Sequence, residues 1–268
     1  MIVAPTALVV KYPSDNELSR CLLRDGFVVL PGFCDKTLTN SLLGVSLRFV
    51  EDVRKAVGDR DIGIGSAAGY REIVQRSPKR WDVPITPAQF GINDRDMPWW
   101  PIVSDVLGDD AEYSFSGVVC SEPGAPAQYW HIDSPHESSE HLPPHAVNVL
   151  VALHAVTREM GPTEFSPGSH VLTNHLANPR LDRDALVYQH AATTPESLIN
   201  GSGEGAKPAC VPDLDAGHCV VFDDRLMHRG LANRSSDNRY VGYFSYRRKG
   251  YVGTTHFESR RSVFDARD

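Results

Sequence analysis

His131 and Asp133 stand two residues apart in the stretch Tyr129-Trp130-His131-Ile132-Asp133. On a strand they project from the same face, because side chains alternate with period 2. A second histidine, His228, lies far downstream, and Arg239 follows it by eleven positions. Two imidazoles and one carboxylate form a donor set that suits divalent iron and leaves three positions of an octahedral ion open to small molecules. A structural zinc usually takes four protein ligands, cysteine among them. The chain has 11 histidines, so a lone one is more often a hydrogen-bonded or surface imidazole. The weight rests on the combination. Arg239 adds a guanidinium that grips a carboxylate through two parallel hydrogen bonds, each contributing roughly 1.5–3 kcal/mol. Taken alone, Arg239 is better explained by a salt bridge to one of the many aspartates.

These residues need elements to hold them. Ser14 and Glu17 have capping-box spacing ahead of Leu18, Cys21 and Leu22, which predicts a helix that stops at Gly26. Residues 27–30 read as a buried strand closed by Pro31-Gly32. A second helix is expected from Asp35 to Gly58, with Leu38, Leu42, Val45, Phe49, Val53 and Val57 as its apolar stripe. Residues 59–98 read as irregular, and 99–107 as a short helix. From 111 onward the character changes to strands and turns, with strands expected at 113–120, 128–133, 146–153, 217–223 and 239–246. His131 and Asp133 then sit on one strand just after a turn, and His228 just after another. The expected fold is mostly β with flanking helices. It is one domain over 1–268, in which a helical part, 1–110, packs on an antiparallel core, 111–250, that a double-sheet jelly roll would satisfy. The weakly periodic insert 172–207 is long enough to be a lid or binding loop. On the 146–153 strand Val147, Val149 and Val151 mark a core face, so Asn148 lies on the other face, either looking into the cavity or as a satisfied buried amide, the two being equally expected.

The motifs taken in order resemble the phytanoyl-CoA dioxygenase family. They are His131-Ile132-Asp133, the run Gly161-Pro162-Thr163-Glu164-Phe165-Ser166-Pro167-Gly168-Ser169-His170, Asp224-Arg225-Leu226-Met227-His228-Arg229-Gly230, Asn233-Arg234-Ser235 and Arg239. The resemblance covers about 111–246 and, more loosely, 25–30. It implies a double-stranded β-helix (jelly roll, cupin-like) core and an Fe(II)/2-oxoglutarate-dependent dioxygenase. His131, Asp133 and His228 would be its iron ligands, and Arg239 would bind the distal carboxylate of 2-oxoglutarate. Thr163 and Gln128 match positions that assist the co-substrate. With O2 as oxidant, such an enzyme releases succinate and CO2 while oxidising a substrate C–H bond. Because Asp133 fills its position, hydroxylation, desaturation or rearrangement is expected, not halogenation. Two departures stand out. Many members have serine two residues after the second histidine, where this chain has Gly230, so that contact must come from elsewhere, with Thr163 as the candidate. Strict alternation also places Gln128 opposite His131 and Asp133, so its role requires a bulge.

Other features carry less. His136 and His141 are five apart and flanked by prolines, which breaks the one-face geometry of a zinc-protease helix. The glycines at 63, 65 and 69 are wrongly spaced for a dinucleotide loop. Arg71, Arg76, Lys79 and Arg80 read as a solvated basic face, although in the resembling family N-terminal arginines reach the site, which makes Arg71 and Arg80 candidates. Trp81, Trp99, Trp100 and Tyr129 suit core packing or an apolar pocket mouth. Five scattered cysteines without a C-x-x-C pair read as reduced thiols. With no secretory leader and no apolar run near 18 residues, the chain is expected to be cytoplasmic. The formal charge of -7 disfavours nucleic acid as a partner. The expected partner is a small-molecule substrate, and oligomeric state is not legible. Three functions remain open at this point: a 2-oxoglutarate-dependent dioxygenase, a metal enzyme that does not use 2-oxoglutarate, and a non-catalytic metal-binding β-sandwich module.

Overall fold

The computed structural model describes residues 15–138, 140–171, 208–252 and 261–265. Ser14 and the insert 172–207 lie outside the described residues, and with them the capping serine and the lid assignment. Helix α1 spans Asp15–Asp25 and ends at Gly26, whose φ of 82° is left-handed. A Cβ there would lie 2.5 Å from Leu226 Cδ1 and 2.6 Å from His170 Nδ1, so the turn requires glycine on two counts. Strand β1 follows at Phe27–Leu30. Asp35 caps α2, Lys36–Val57, by accepting the Leu38 N–H at 2.8 Å. The stripe of α2 buries Leu42, Val45, Val50, Val53 and Val57. A single turn, α3, spans Pro87–Phe90, and α4 spans Trp100–Leu107.

The strands are β2 Val74–Ser77, β3 Arg80–Pro84, β4 Glu112–Ser121, β5 Ala146–Ala152, β6 Thr163–Phe165, β7 Cys219–Asp223, β8 His228–Gly230 and β9 Arg239–Arg247. Seven form one antiparallel sheet in the order β1-β7-β5-β9-β4-β3-β2, and β6 with β8 forms a small second sheet. Alternation gives the large sheet two unlike faces. Val147, Val149, Val151, Cys219, Val221, Phe244 and Tyr246 pack under α2 and α4 in the main core. The opposite residues Ala152, Val220, Phe222 and Val241 meet Phe165, Val156, Leu214 and Leu226 between the two sheets. Each fully buried aliphatic side chain stabilises this sandwich by about 1.5–3 kcal/mol. The result is the expected mostly-β, jelly-roll-type double sheet with flanking helices, its second sheet short. Among the described residues no helix is long and apolar enough to cross a membrane.

Two expectations are corrected, and core packing, the role expected for most of the aromatic candidates, holds for the tryptophans among them. Residues 59–98 are not wholly irregular: β2 and β3 extend the large sheet there, so the part before residue 110 supplies three of its strands. Their burial pattern hides them, because β3 turns Arg80 and Asp82 inward. Residues 128–133 do not form a regular strand; they run alongside β8 through one bridge, His131–His228, and the Gln128 N–H bond to the Gly230 carbonyl. Trp99 and Trp100 are core residues, with Trp99 Nε1 donating to Tyr246 Oη at 2.9 Å and Trp100 edge-on to the Tyr246 ring. Trp81 packs against the same core, and only Tyr129 of the four aromatic candidates is exposed, at 54%.

Candidate metal centre

The chain brings His131, Asp133 and His228 together: one ligand atom from each lies within 4.8 Å of the others. His228 Nε2 is 3.7 Å from Asp133 Oδ1, and the two imidazole centroids are 4.3 Å apart. The backbone explains the convergence. His131 and His228 exchange both N–H···O bonds, at 3.0 and 2.9 Å, so they face each other directly across the bridge. The Asp133 N–H donates to the Asp224 carbonyl at 2.8 Å, which fixes the next step of the segment.

Both rings are oriented by their own backbones. His131 Nδ1–H donates to the Tyr129 carbonyl and His228 Nδ1–H to the Leu226 carbonyl, each at 2.9 Å. A carbonyl only accepts, so the proton sits on Nδ1 in both rings and Nε2 keeps its lone pair for a ligand role. Burial, aided by the neighbouring His228, lowers His131 to about 4. Its imidazole is therefore neutral near pH 7, the form that binds metal. Asp133 is held from the sheet: Ser245 Oγ donates to Asn148 Oδ1, and Asn148 Nδ2 donates to Asp133 Oδ2 at 2.6 Å. That leaves Oδ1 on the side of His228. Phe222 packs edge-on to the His228 ring at 4.9 Å, with Phe165 behind it at 6.1 Å. Ligand atoms sharing one ion at about 2.1 Å in cis positions sit roughly 3 Å apart, so small inward movements close the set. The donor chemistry, tautomers and outer hydrogen bonds all fit a divalent ion with open positions.

Arg239 opens β9 and is 3% exposed. Its guanidinium donates to the Gly161 carbonyl and, at 3.0 Å, to Ser121 Oγ, while its Nε–H is buried without a partner. Across Ser121 lies Arg80, 1% exposed, which donates to Ser121 Oγ at 3.0 Å, Ser77 Oγ at 3.1 Å and the Leu231 carbonyl at 2.8 Å. No carboxylate among the described residues pairs with either arginine. Burial lowers Arg80 to about 10; burial and the charge of Arg80 lower Arg239 to about 9. A Cβ on Gly230, two residues from His228 on β8, would lie 3.1 Å from Arg80 Cζ, which puts Arg80 next to the strand that carries His228. Arg80 therefore departs from the solvated face expected of its cluster. Arg71 stays on the surface beside Glu72, and Arg76 pairs with Asp82.

Gln128 is turned onto β8. Its N–H donates to the Gly230 carbonyl at 2.8 Å and its Oε1 accepts the Gly230 N–H at 3.0 Å. From 128 to 131 the chain takes three steps while β8 takes two, from 230 to 228. That extra residue is the bulge which strict alternation demanded. Thr163 faces Gly230 across β6 and β8 and is half-buried. Asn148, 6% exposed, is a bonded buried amide whose Nδ2 reaches Asp133. Ser245 was missed, although its place on β9 opposite Asn148 follows from the pairing. Asn233, in a glycosylation-like triplet, is 1% exposed and donates to the carbonyls of Ser121 and Asp237, so it braces the loop between β8 and β9. On the same sheet face Phe115 lies opposite Ser245, and Tyr243 donates to Asp82 at 2.6 Å.

A family model described as Phytanoyl-CoA dioxygenase (PhyH) matches residues 22–241, and the chain belongs to that family. Among curated relatives, dioxygenase hkm4 of Aspergillus hancockii is 28% identical over 46% of this chain and 34% of its own length. Dioxygenase trt7 of Aspergillus terreus is 24% identical over 84% of this chain and 71% of its own. The Fe(II)/2-oxoglutarate-dependent dioxygenase nvfF of Aspergillus novofumigatus is 29% identical over 49% and 36%. The match thus spans about a third of the length of two of these relatives. Among solved structures, the epimerase SnoN in complex with Fe3+, alpha ketoglutarate and nogalamycin RO is similar with a TM-score of 0.56 at 22% identity, over 87% of this chain and 83% of that one.

Proposed function

We propose that this chain is an Fe(II)- and 2-oxoglutarate-dependent dioxygenase that oxidises a C–H bond of a small organic substrate, by hydroxylation, desaturation or rearrangement, and releases succinate and CO2. The observation that carries the reading is the adjacency of two features. A two-histidine, one-carboxylate cluster with both Nε2 atoms available shares β8 with Gly230, against which the buried Arg80–Ser121–Arg239 group packs, and no carboxylate among the described residues pairs with Arg239. Family membership and the printed name of nvfF support the same chemistry.

In this reading His131, Asp133 and His228 hold the iron, which when bound supplies the activation of dioxygen and the oxidative decarboxylation of the co-substrate. The protein's own work is positional. Tyr129 and Leu226 carbonyls keep both imidazoles in the ligand tautomer, and Asn148 keeps Asp133 turned toward them. Arg239 holds the distal carboxylate of 2-oxoglutarate, with Thr163 and Gln128 on either side of Gly230 shaping the same end. Phe165 and Phe222 screen His228 from water. The substrate lies on the open side, where Asp133 has a 36% exposed side chain, Phe115 and Tyr129 are exposed, and Tyr243 is tied to Asp82. That mix of rings and polar groups suits a specialised metabolite with an apolar body. The small-molecule complex of SnoN supports the class, not the compound.

The test is succinate formation by the purified chain, with iron and 2-oxoglutarate each omitted in turn. Succinate that depends on both is expected, even as slow uncoupled turnover without substrate. No succinate across a broad substrate panel would overturn the reading in favour of a non-catalytic module. Turnover that needs no 2-oxoglutarate and is untouched by Arg239→Ala would favour a metal enzyme that does not use it.

A further inference from the structure

Two thiols on the helix side of the large sheet meet inside the main core. Cys34 stands one residue before the cap of α2, and Cys219 opens β7. They are 185 positions apart in the chain, yet their sulfurs lie 3.5 Å from each other. That is van der Waals contact between free thiols.

The backbone holds both cysteines in place. The Cys34 N–H donates to the Gly217 carbonyl at 2.9 Å. Gly217 has a left-handed φ of 83°, and a Cβ on it would lie 2.3 Å from the Cys34 carbonyl oxygen. The turn before α2 is thereby clamped onto the approach to β7. Cys219 pairs with Leu30 of β1 on one side and Val151 of β5 on the other, so its strand is fixed from both edges. Two clamped backbones keep the sulfurs facing each other. A disulfide places its sulfurs about 2.05 Å apart, so each must travel about 0.7 Å, a χ1 turn of about 25° that stays within a staggered well.

The two thiols are not equivalent. Cys219 is 0% exposed, and burial, together with the Cys34 thiol beside it, holds its pKa well above the usual thiol range. Cys34 is 4% exposed and is flanked by the exposed Gly32 and Asp35, which makes it the nearer of the two to solvent.

We propose that Cys34 and Cys219 form a peroxide-responsive dithiol, which closes to a disulfide and ties the start of α2 to β7. Hydrogen peroxide transfers one oxygen to the Cys34 sulfur, giving a sulfenic acid and one water. The Cys219 thiol then displaces that oxygen as a second water, so two thiols lose two electrons while one peroxide gains them. The bond closes a loop long enough to restrict the unfolded chain strongly. Alternation keeps it off the metal side: Cys219 belongs to the core under the helices, whereas Phe222 of the same strand packs on His228. The oxidised protein is stapled and keeps its metal site.

The test treats the reduced full chain with a small excess of hydrogen peroxide, then denatures it, alkylates the remaining thiols and maps the peptides by mass. Alkylated cysteines are expected to fall from the five of the reduced chain by two, with one cross-linked peptide joining Cys34 to Cys219. The Tm should rise by about 5–15 °C and return on addition of dithiothreitol. The manganese Kd should stay within twofold. A full set of alkylated thiols would overturn the proposal, as would oxidation that falls on Cys21, Cys120 or Cys210 instead. So would a disulfide that leaves Tm unchanged or lower, or one that weakens manganese binding tenfold. Cys34→Ser should show neither the cross-link nor the gain in Tm, and the same gain in that variant would sink the idea; should it fail to melt cooperatively, the wild-type peptide map decides alone. Neither iron nor turnover enters the mapping, so this proposal and the proposed function fail independently.

Discussion

Replacing Asn148 by alanine isolates the chain of bonds that aims Asp133. Asn148 is 6% exposed, and its Nδ2 lies 2.6 Å from Asp133 Oδ2. A hydrogen bond to an ionised carboxylate contributes about 1.5–3 kcal/mol. At about 1.4 kcal/mol per tenfold, its loss weakens metal binding roughly 10- to 100-fold, the range seen when groups that orient metal ligands are removed. Ser245 Oγ, 3% exposed, also loses its acceptor, so the same substitution lowers the melting temperature. Manganese serves as a redox-silent stand-in for Fe(II) in calorimetric titration of both proteins. The expected result is a 10- to 100-fold higher Kd for Asn148→Ala, a smaller change for Ser245→Ala, and little change in KM for 2-oxoglutarate at saturating metal. An Asn148→Ala protein that melts lower but binds manganese as tightly as wild type would refute the reasoning. The amide would then brace the sheet without steering the carboxylate.

Arg239→Ala removes two charge-assisted contacts to the co-substrate carboxylate, so its KM should rise on the order of 100-fold while manganese affinity without co-substrate stays unchanged; steady-state kinetics and calorimetry check both. Metal present at about 100 times its Kd should stabilise the fold by about 2.7 kcal/mol, read as a higher Tm, and His228→Ala should abolish that increment. Gly230→Ser forces a side chain into the space of Arg80 and Gln128, so denaturant unfolding should show a loss of about 1–3 kcal/mol; an unchanged midpoint would show that Arg80 moves aside freely.

Much of the fold was legible because its signals are local. The aspartate before α2, the glycine after it and the stripe of Leu42, Val45, Val53 and Val57 are all short-range consequences of helix geometry. The apolar run 27–30 marks β1 for the same reason. Strands β2 and β3 escaped because Arg76, Arg80 and Asp82 satisfy one another or a buried pocket instead of water, which inverts the usual alternation. Residues 128–133 were read as a strand and are a bulged, bridge-paired segment. Their irregularity comes from β8, nearly a hundred residues away, and leaves no trace in local pattern.

The chain alone determined which residue types were available for the site: two histidines, a carboxylate two residues from one of them, and an arginine after the other. Their order and spacing carry that information because ligand chemistry depends on side-chain identity. Only the folded chain decided that both imidazoles offer Nε2, that Asn148 reaches Asp133, and that Arg80 shares Ser121 with Arg239. Those facts arise from strand pairing between distant segments: a guanidinium on β3 meets Ser121 and the neighbourhood of Arg239 only because β4 pairs with both β3 and β9.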